Sequence, residues 1–103
     1  MAIMMIYTWD GTTAEQYDAV RAKVDWLGNA PQGGRVHVAA FSDRGLRITD
    51  VWDSVEDLQA FVAERLQPAI DEVGIPGQPT IEILPLHESY CPVADTVLLT
   101  PVA

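Results

Sequence analysis

Residues 37–53, HVAAFSDRGLRITDVWD, decide the fold. Two runs rich in β-branched and aromatic residues, RVHVAAF (35–41) and LRITDVWD (46–53), flank the polar break Ser42-Asp43-Arg44-Gly45. Strand, short polar break and strand read as a β-hairpin. With a loop of two or four residues, Phe41 stands opposite Leu46, and the pairs Ala40–Arg47, Ala39–Ile48, Val38–Thr49 and His37–Asp50 follow. A three-residue loop would put His37 and Asp50 on mismatched faces. In the first register one face holds His37, Ala39, Phe41, Leu46, Ile48, Asp50 and Trp52. The other holds Val36, Val38, Ala40, Thr49 and Val51.

Upstream, AIMMIYTW (2–9) is a short apolar run ended by Asp10-Gly11 and reads as a buried strand. Thr12 with Glu15, or Thr13 with Gln16, forms a capping box that opens a helix. Its apolar positions are Tyr17, Val20, Val24 and Leu27, and Gly28 stops it. Residues 29–34, NAPQGG, are loop. Downstream of the hairpin, Ser54 caps a second helix, with Glu56 and Asp57 in its first turn. Val55, Leu58, Phe61, Val62, Leu66, Ala69, Ile70 and Val73 form its apolar stripe. Pro68 removes an amide and crowds the carbonyl of Glu64, so a kink or break is expected near 66–68. Gly74-Ile75 reads as a left-handed C-cap with its hydrophobic contact. TIEILPLH (80–87) is a fourth strand, placed at an edge or bulge by Pro85.

The order is therefore βαββαβ: an α+β, ferredoxin-like fold with a four-stranded antiparallel sheet and two helices on one face. It occupies residues 1–88; residues 89–103 are a C-terminal tail expected to pack on the barrel or on a partner. The helix-free face would expose Val36, Val38, Ala40, Thr49 and Val51, which predicts a symmetric partner covering it.

Composition narrows the function classes. The 103 residues carry 6 Lys and Arg against 15 Asp and Glu, a net charge of −9, with 49% hydrophobic and 20% charged residues. Such a chain is globular. It lacks the clustered cations that a nucleic-acid backbone requires, and it is repelled by anionic membranes. The mass predicts a folded surface of about 5,700 Å², enough for one core and little room for a deep private cavity. The single cysteine, Cys91, excludes an intrachain disulfide, and no targeting signal is read at the N-terminus, so a cytoplasmic protein is expected.

Element order, the segment HVAAFSDRGLRITDVWDSVEDLQAF (37–61) and the helix end ERLQPAIDEVGI (64–75) together resemble the dimeric α/β-barrel superfamily, and within it the antibiotic-biosynthesis-monooxygenase-like proteins. The resemblance covers residues 1–88. It implies a homodimeric barrel with a pocket between sheet and helices, here lined by His37, Asp50 and Trp52. Members that oxidise polyketide-type phenols do so without metal or flavin. They use Trp, Tyr, Asn or Arg side chains to hold and deprotonate the substrate; Trp9, Trp26, Trp52, Tyr17 and Arg47 are residues of that type in this chain.

The residues themselves offer one catalytic pair and one aromatic set. An imidazole held by a carboxylate has a fixed tautomer and raised basicity, so His37 with Asp50 suits a general base and its orienter. The competing reading is a His–Asp pair satisfying itself in the core. Tyr7, Trp9, Tyr17, Trp26, Phe41, Trp52 and Phe61 could wall a site for a flat apolar ligand, or simply pack the core. Metal is not expected. His37, His87, Glu88 and Cys91 show no ligand spacing, and adjacent His87 and Glu88 on a strand would point to opposite faces. Neither predicted helix carries a histidine that could hold haem. No phosphate loop or nucleophile elbow is present. The expected function is binding of a small apolar or aromatic, polyketide-like molecule by a homodimer. Cofactor-free monooxygenation or isomerisation/cyclisation would be the chemistry, and a non-catalytic binding protein or purely structural dimer is the alternative.

Overall fold

Alternation of apolar and polar residues along Ile3–Asp10 (β1) buries Ile3, Met5, Tyr7 and Trp9 on one face of a central strand. The computed structural model describes residues 1–91, and the order continues with α1 (Ala14–Val24), β2 (Gly34–Ser42), β3 (Gly45–Trp52), α2 (Val55–Phe61), a π-helical turn (Val62–Leu66), α3 (Gln67–Val73) and β4 (Thr80–Pro85). The sheet order is β2-β3-β1-β4, antiparallel throughout, which is the ferredoxin-like arrangement. The tail expected at 89–103 lies mostly outside the described residues.

The hairpin register is the two-residue-loop register. Ser42 pairs with Gly45, Phe41 with Leu46 and His37 with Asp50. A bulge between Gly34 and Val36 ends this regular pairing. The helix-facing side of the sheet packs on Val20 and Val24 of α1, Leu58 and Phe61 of α2, and Ala69 and Ile70 of α3. On the opposite side Val38 is 57% exposed and Val36 is 37% exposed.

Helix 1 starts from the second of the two possible boxes. The Thr13 hydroxyl accepts from the Gln16 amide, and the Gln16 side chain accepts from the Thr13 amide. Thr12 is instead buried, and its hydroxyl has no partner among the described residues. The helix stops at Val24, one turn earlier than the apolar spacing predicts. Asp25 adopts a left-handed conformation (φ 53°), its amide bonds to the Arg21 carbonyl, and its carboxylate accepts from the Gly28 amide. Leu27 consequently leaves the apolar stripe and is 58% exposed. The second helix is interrupted ahead of Pro68. Because Pro68 offers no amide to the ladder, the backbone widens into the π-turn Val62–Leu66, and α3 resumes with the proline in its first turn. β4 ends at Pro85, short of the expected 87, and is an edge strand; only the Leu86 amide extends its pairing, to Ala2.

Candidate functional site: a polar chain beneath an aromatic shelf

The hairpin register places His37 beside Asp50 on the helix-facing side, and α1 brings the Tyr17 hydroxyl to His37. His37 Nδ1 lies 2.7 Å from Asp50 Oδ1. The Trp52 indole N–H donates to Asp50 Oδ2 at 3.2 Å. The Tyr17 hydroxyl lies 2.6 Å from His37 Nε2, and the two rings lie end to end with planes 4° apart and centroids 6.1 Å apart. Four side chains from α1, β2 and β3 thus form one hydrogen-bonded chain. Its inner end is sealed: Trp52 has no exposure, and the Asp50 side chain retains 5%. Toward its outer end the His37 side chain is 27% exposed and Tyr17 is half-buried.

Aromatic rings surround the chain. Trp26 lies 5.3 Å from His37 and 5.3 Å from Trp52, and Phe61 packs 5.2 Å from Trp52. Phe41, 42% exposed, meets Tyr17 edge-on at 6.1 Å. Trp26 reaches this position because Asp25 breaks the helix before it. The approach also requires Gly34: a Cβ there would stand 2.9 Å from the Trp26 ring. Arg65 of the π-turn closes the same loop by donating to the Val24 carbonyl and, at 2.7 Å, to the Asn29 carbonyl.

Of the expected site residues, His37, Asp50, Tyr17, Trp26, Phe41, Trp52 and Phe61 come together. Asp50, Trp52 and Phe61 are buried beneath the others. Tyr7 and Trp9 form a separate buried pair with ring centroids 6.2 Å apart, and the Trp9 N–H donates to the Pro76 carbonyl at 3.1 Å. Burial pushes the Tyr7 phenol up to about 12 and raises that of Tyr17. At Tyr17, Arg21 opposes the rise, and the negative charges of Asp50 and Asp18 add to it. Arg47 lies on the other face, paired with Asp10 at 2.9 Å. Sequence reading had no signal for Arg65. A cleft of about 350 Å³ opens elsewhere, between Trp9, Gln67, Ile70, Gly74 and Gln78, with no residue of the polar chain in it. Among the described residues no three His, Cys, Asp or Glu side chains cluster as metal ligands, and no helix is long and apolar enough to cross a membrane.

No protein-family model matches this sequence, and no curated protein does. Solved structures do. A Caulobacter crescentus protein assigned to antibiotic biosynthesis monooxygenases is 19% identical with a TM-score of 0.67, over 84% of this chain and 91% of that one. The ActVA-Orf6 monooxygenase of Streptomyces coelicolor, solved with nanaomycin D, is 15% identical (TM-score 0.56, 89% and 92% covered). SnoaB of Streptomyces nogalater, a cofactor-independent oxygenase, is 10% identical (TM-score 0.58, 85% and 93% covered). The fold is thus that of the antibiotic-biosynthesis-monooxygenase-like proteins.

Proposed function

We propose that this protein is a homodimer that binds a small aromatic, polyketide-like molecule on the shelf formed by Tyr17, Trp26, His37 and Phe41, and acts on it as a cofactor-independent monooxygenase. The carrying observation is the Trp52–Asp50–His37–Tyr17 chain, buried at one end and partly exposed at the other. In this reading His37 is the proton acceptor, because Asp50 stabilises the imidazolium that forms. Removing a proton from a hydroxy-aromatic raises its electron density, and the resulting anion can react with dioxygen. For an anthrone the balance is CH₂ plus O₂ giving C=O plus H₂O: one oxygen atom enters the ring and the other leaves as water. Isomerisation or cyclisation would use the same proton acceptor without dioxygen. The fold shared with two proteins described as a monooxygenase and an oxygenase supports the oxygen chemistry.

Oxygen uptake with anthrone, whose anthranol tautomer carries the hydroxyl, as the probe tests this reading. Uptake by the wild type and a loss of about a hundredfold or more in His37→Ala are expected. Equal uptake in both proteins overturns the role of His37. A non-catalytic binding dimer is the second reading, favoured by the burial of Asp50 and Trp52, which would hold a shelf equally well. Binding without uptake selects it. The homodimer is supported by the exposed Val36 and Val38 on the helix-free face. Sedimentation at micromolar concentration should give a dimer, and Val38→Asp should give a monomer; a monomeric wild type removes the dimer.

A further inference from the structure

We propose that the atom meeting the ligand is the Tyr17 hydroxyl oxygen rather than a nitrogen of His37, and that the ligand is a hydroxy-aromatic that presents its protonated hydroxyl as a hydrogen-bond donor. This rests on the aromatic-ligand reading above and adds a constraint that the reading does not contain.

Polarity along the chain fixes the choice. The Trp52 indole nitrogen can only donate, and it meets Asp50 Oδ2. The other carboxylate oxygen faces His37 Nδ1 at 2.7 Å. A carboxylate only accepts, so Nδ1 carries the hydrogen and the neutral ring keeps its lone pair on Nε2. That lone pair faces the Tyr17 oxygen at 2.6 Å, so Tyr17 donates. Both nitrogens of His37 are then engaged, and the one hydrogen of Tyr17 is spent. Only acceptor capacity remains on the Tyr17 oxygen. A ketone, ether or phenolate oxygen there would set lone pair against lone pair; a hydroxyl satisfies it. The neighbouring surface is apolar. Phe41 meets Tyr17 edge-on, and Ala39 follows His37 on the same face of β2; both are exposed.

The same polarity gives a proton path. The O–H bond of the ligand breaks as its proton passes to the Tyr17 oxygen. The proton of Tyr17 passes to His37 Nε2, and the imidazolium faces the Asp50 carboxylate. The products are the ligand anion, neutral Tyr17 and protonated His37, with no electrons gained or lost. Burial and the nearby carboxylates oppose a standing Tyr17 phenolate, so the two transfers belong to one concerted relay.

Three neutral probes of one shape test the inference by calorimetry on the full chain: 1-naphthol, which donates, and 1-methoxynaphthalene and 1-naphthaldehyde, which only accept. We expect 1-naphthol to bind about three- to tenfold more tightly than either. Tyr17→Phe uncovers His37 Nε2, to which 1-naphthol can donate directly, so nitrogen NMR decides: 1-naphthol should shift the Nε2 resonance in Tyr17→Phe and leave it in place in the wild type. Equal binding of all three probes, or a shift of the Nε2 resonance in the wild type as large as in Tyr17→Phe, overturns the inference while leaving the aromatic reading standing. Binding of none overturns both. A further measurement needs no variant: nitrogen NMR of the wild type should find the His37 hydrogen on Nδ1. A hydrogen on Nε2 would make Tyr17 the acceptor and reverse the selectivity, which overturns the inference.

Discussion

Two stripes of alternating residues lie on the same side of the sheet and have opposite fates. Ile3, Met5, Tyr7 and Trp9 of β1 are flanked by β3 and β4, covered by helices and buried. His37, Ala39 and Phe41 of β2 lie on an edge strand, and the latter two are exposed. Both stripes carry aromatic rings, so aromatic content does not tell core from site. Hydrogen-bond destinations do. The indole of Trp9 ends on a backbone carbonyl, Pro76, and nothing remains to offer a ligand. On the β2 side the polar chain ends on a hydroxyl oxygen with acceptor capacity to spare. An interior that closes its polar groups on its own backbone is packing; one that leads them outward in a fixed direction is equipped to recognise a ligand.

Substitutions in the two stripes should separate these roles. Asp50→Ala leaves the Trp52 N–H buried without an acceptor and removes the partner of His37 Nδ1. We expect a loss of about 3 kcal/mol in urea unfolding, together with loss of the 1-naphthol preference. Trp9→Phe removes one hydrogen bond and some volume, for about 1–2 kcal/mol, and should leave naphthol binding unchanged. If Trp9→Phe weakens naphthol binding as much as Asp50→Ala does, the two stripes are one site and the distinction falls.

Local pattern carried most of the fold into the sequence. The polar break Ser42–Gly45 marked the hairpin and made His37 opposite Asp50 one of its possible registers, which is the one the structure takes. The Ser54 cap, whose hydroxyl accepts from the Asp57 amide, and the left-handed Gly74 (φ 80°) follow from short-range rules in the same way. The features that escaped depend on distant partners. Whether Asp25 continues α1 or ends it depends on a loop that Arg65 grips from 36 residues beyond Asn29. Tyr17 reads as one apolar helix position among four, and its bond to His37 exists only once α1 crosses β2. The site was legible as a pair, while its polarity was not, because polarity depends on Trp52 closing the far side of Asp50.

Alkaline pH offers a subtler separation. Burial holds the Tyr7 phenol up to about 12, against 10.0 for an unperturbed tyrosine. Between those values the unfolded chain has released this proton and the folded chain retains it, so stability falls as pH rises. The contribution is fully present below pH 10 and lost progressively toward 12. The urea midpoint should decline over this window, and less steeply in Tyr7→Phe. Tyr17 is raised as well, so Tyr17→Phe should also flatten the decline, but only that variant should let 1-naphthol shift the His37 Nε2 resonance. A decline equally steep in Tyr7→Phe and the wild type would contradict the burial of the β1 stripe.

The smallest effect concerns the strap that keeps Trp26 over the open stripe. Arg65 donates to the Val24 and Asn29 carbonyls and sets its guanidinium 5.5 Å from the centre of the Phe61 ring. Arg65→Met keeps the stem and the helix propensity but removes both donors and the cation. Water can reach these partly exposed carbonyls, so the stability loss should stay below about 1 kcal/mol. Its consequence should be spatial. Trp26 is the only half-buried tryptophan of the three, with Trp9 and Trp52 buried, so a loosened loop should shift the fluorescence to the red and weaken all three naphthalene probes equally. The preference for 1-naphthol should survive, because the Tyr17–His37–Asp50 polarity does not pass through Arg65. A variant that loses the preference along with the affinity would show that the loop sets the direction of the chain as well as its cover, and the shelf and the polar chain would then have to be treated as one mechanical unit.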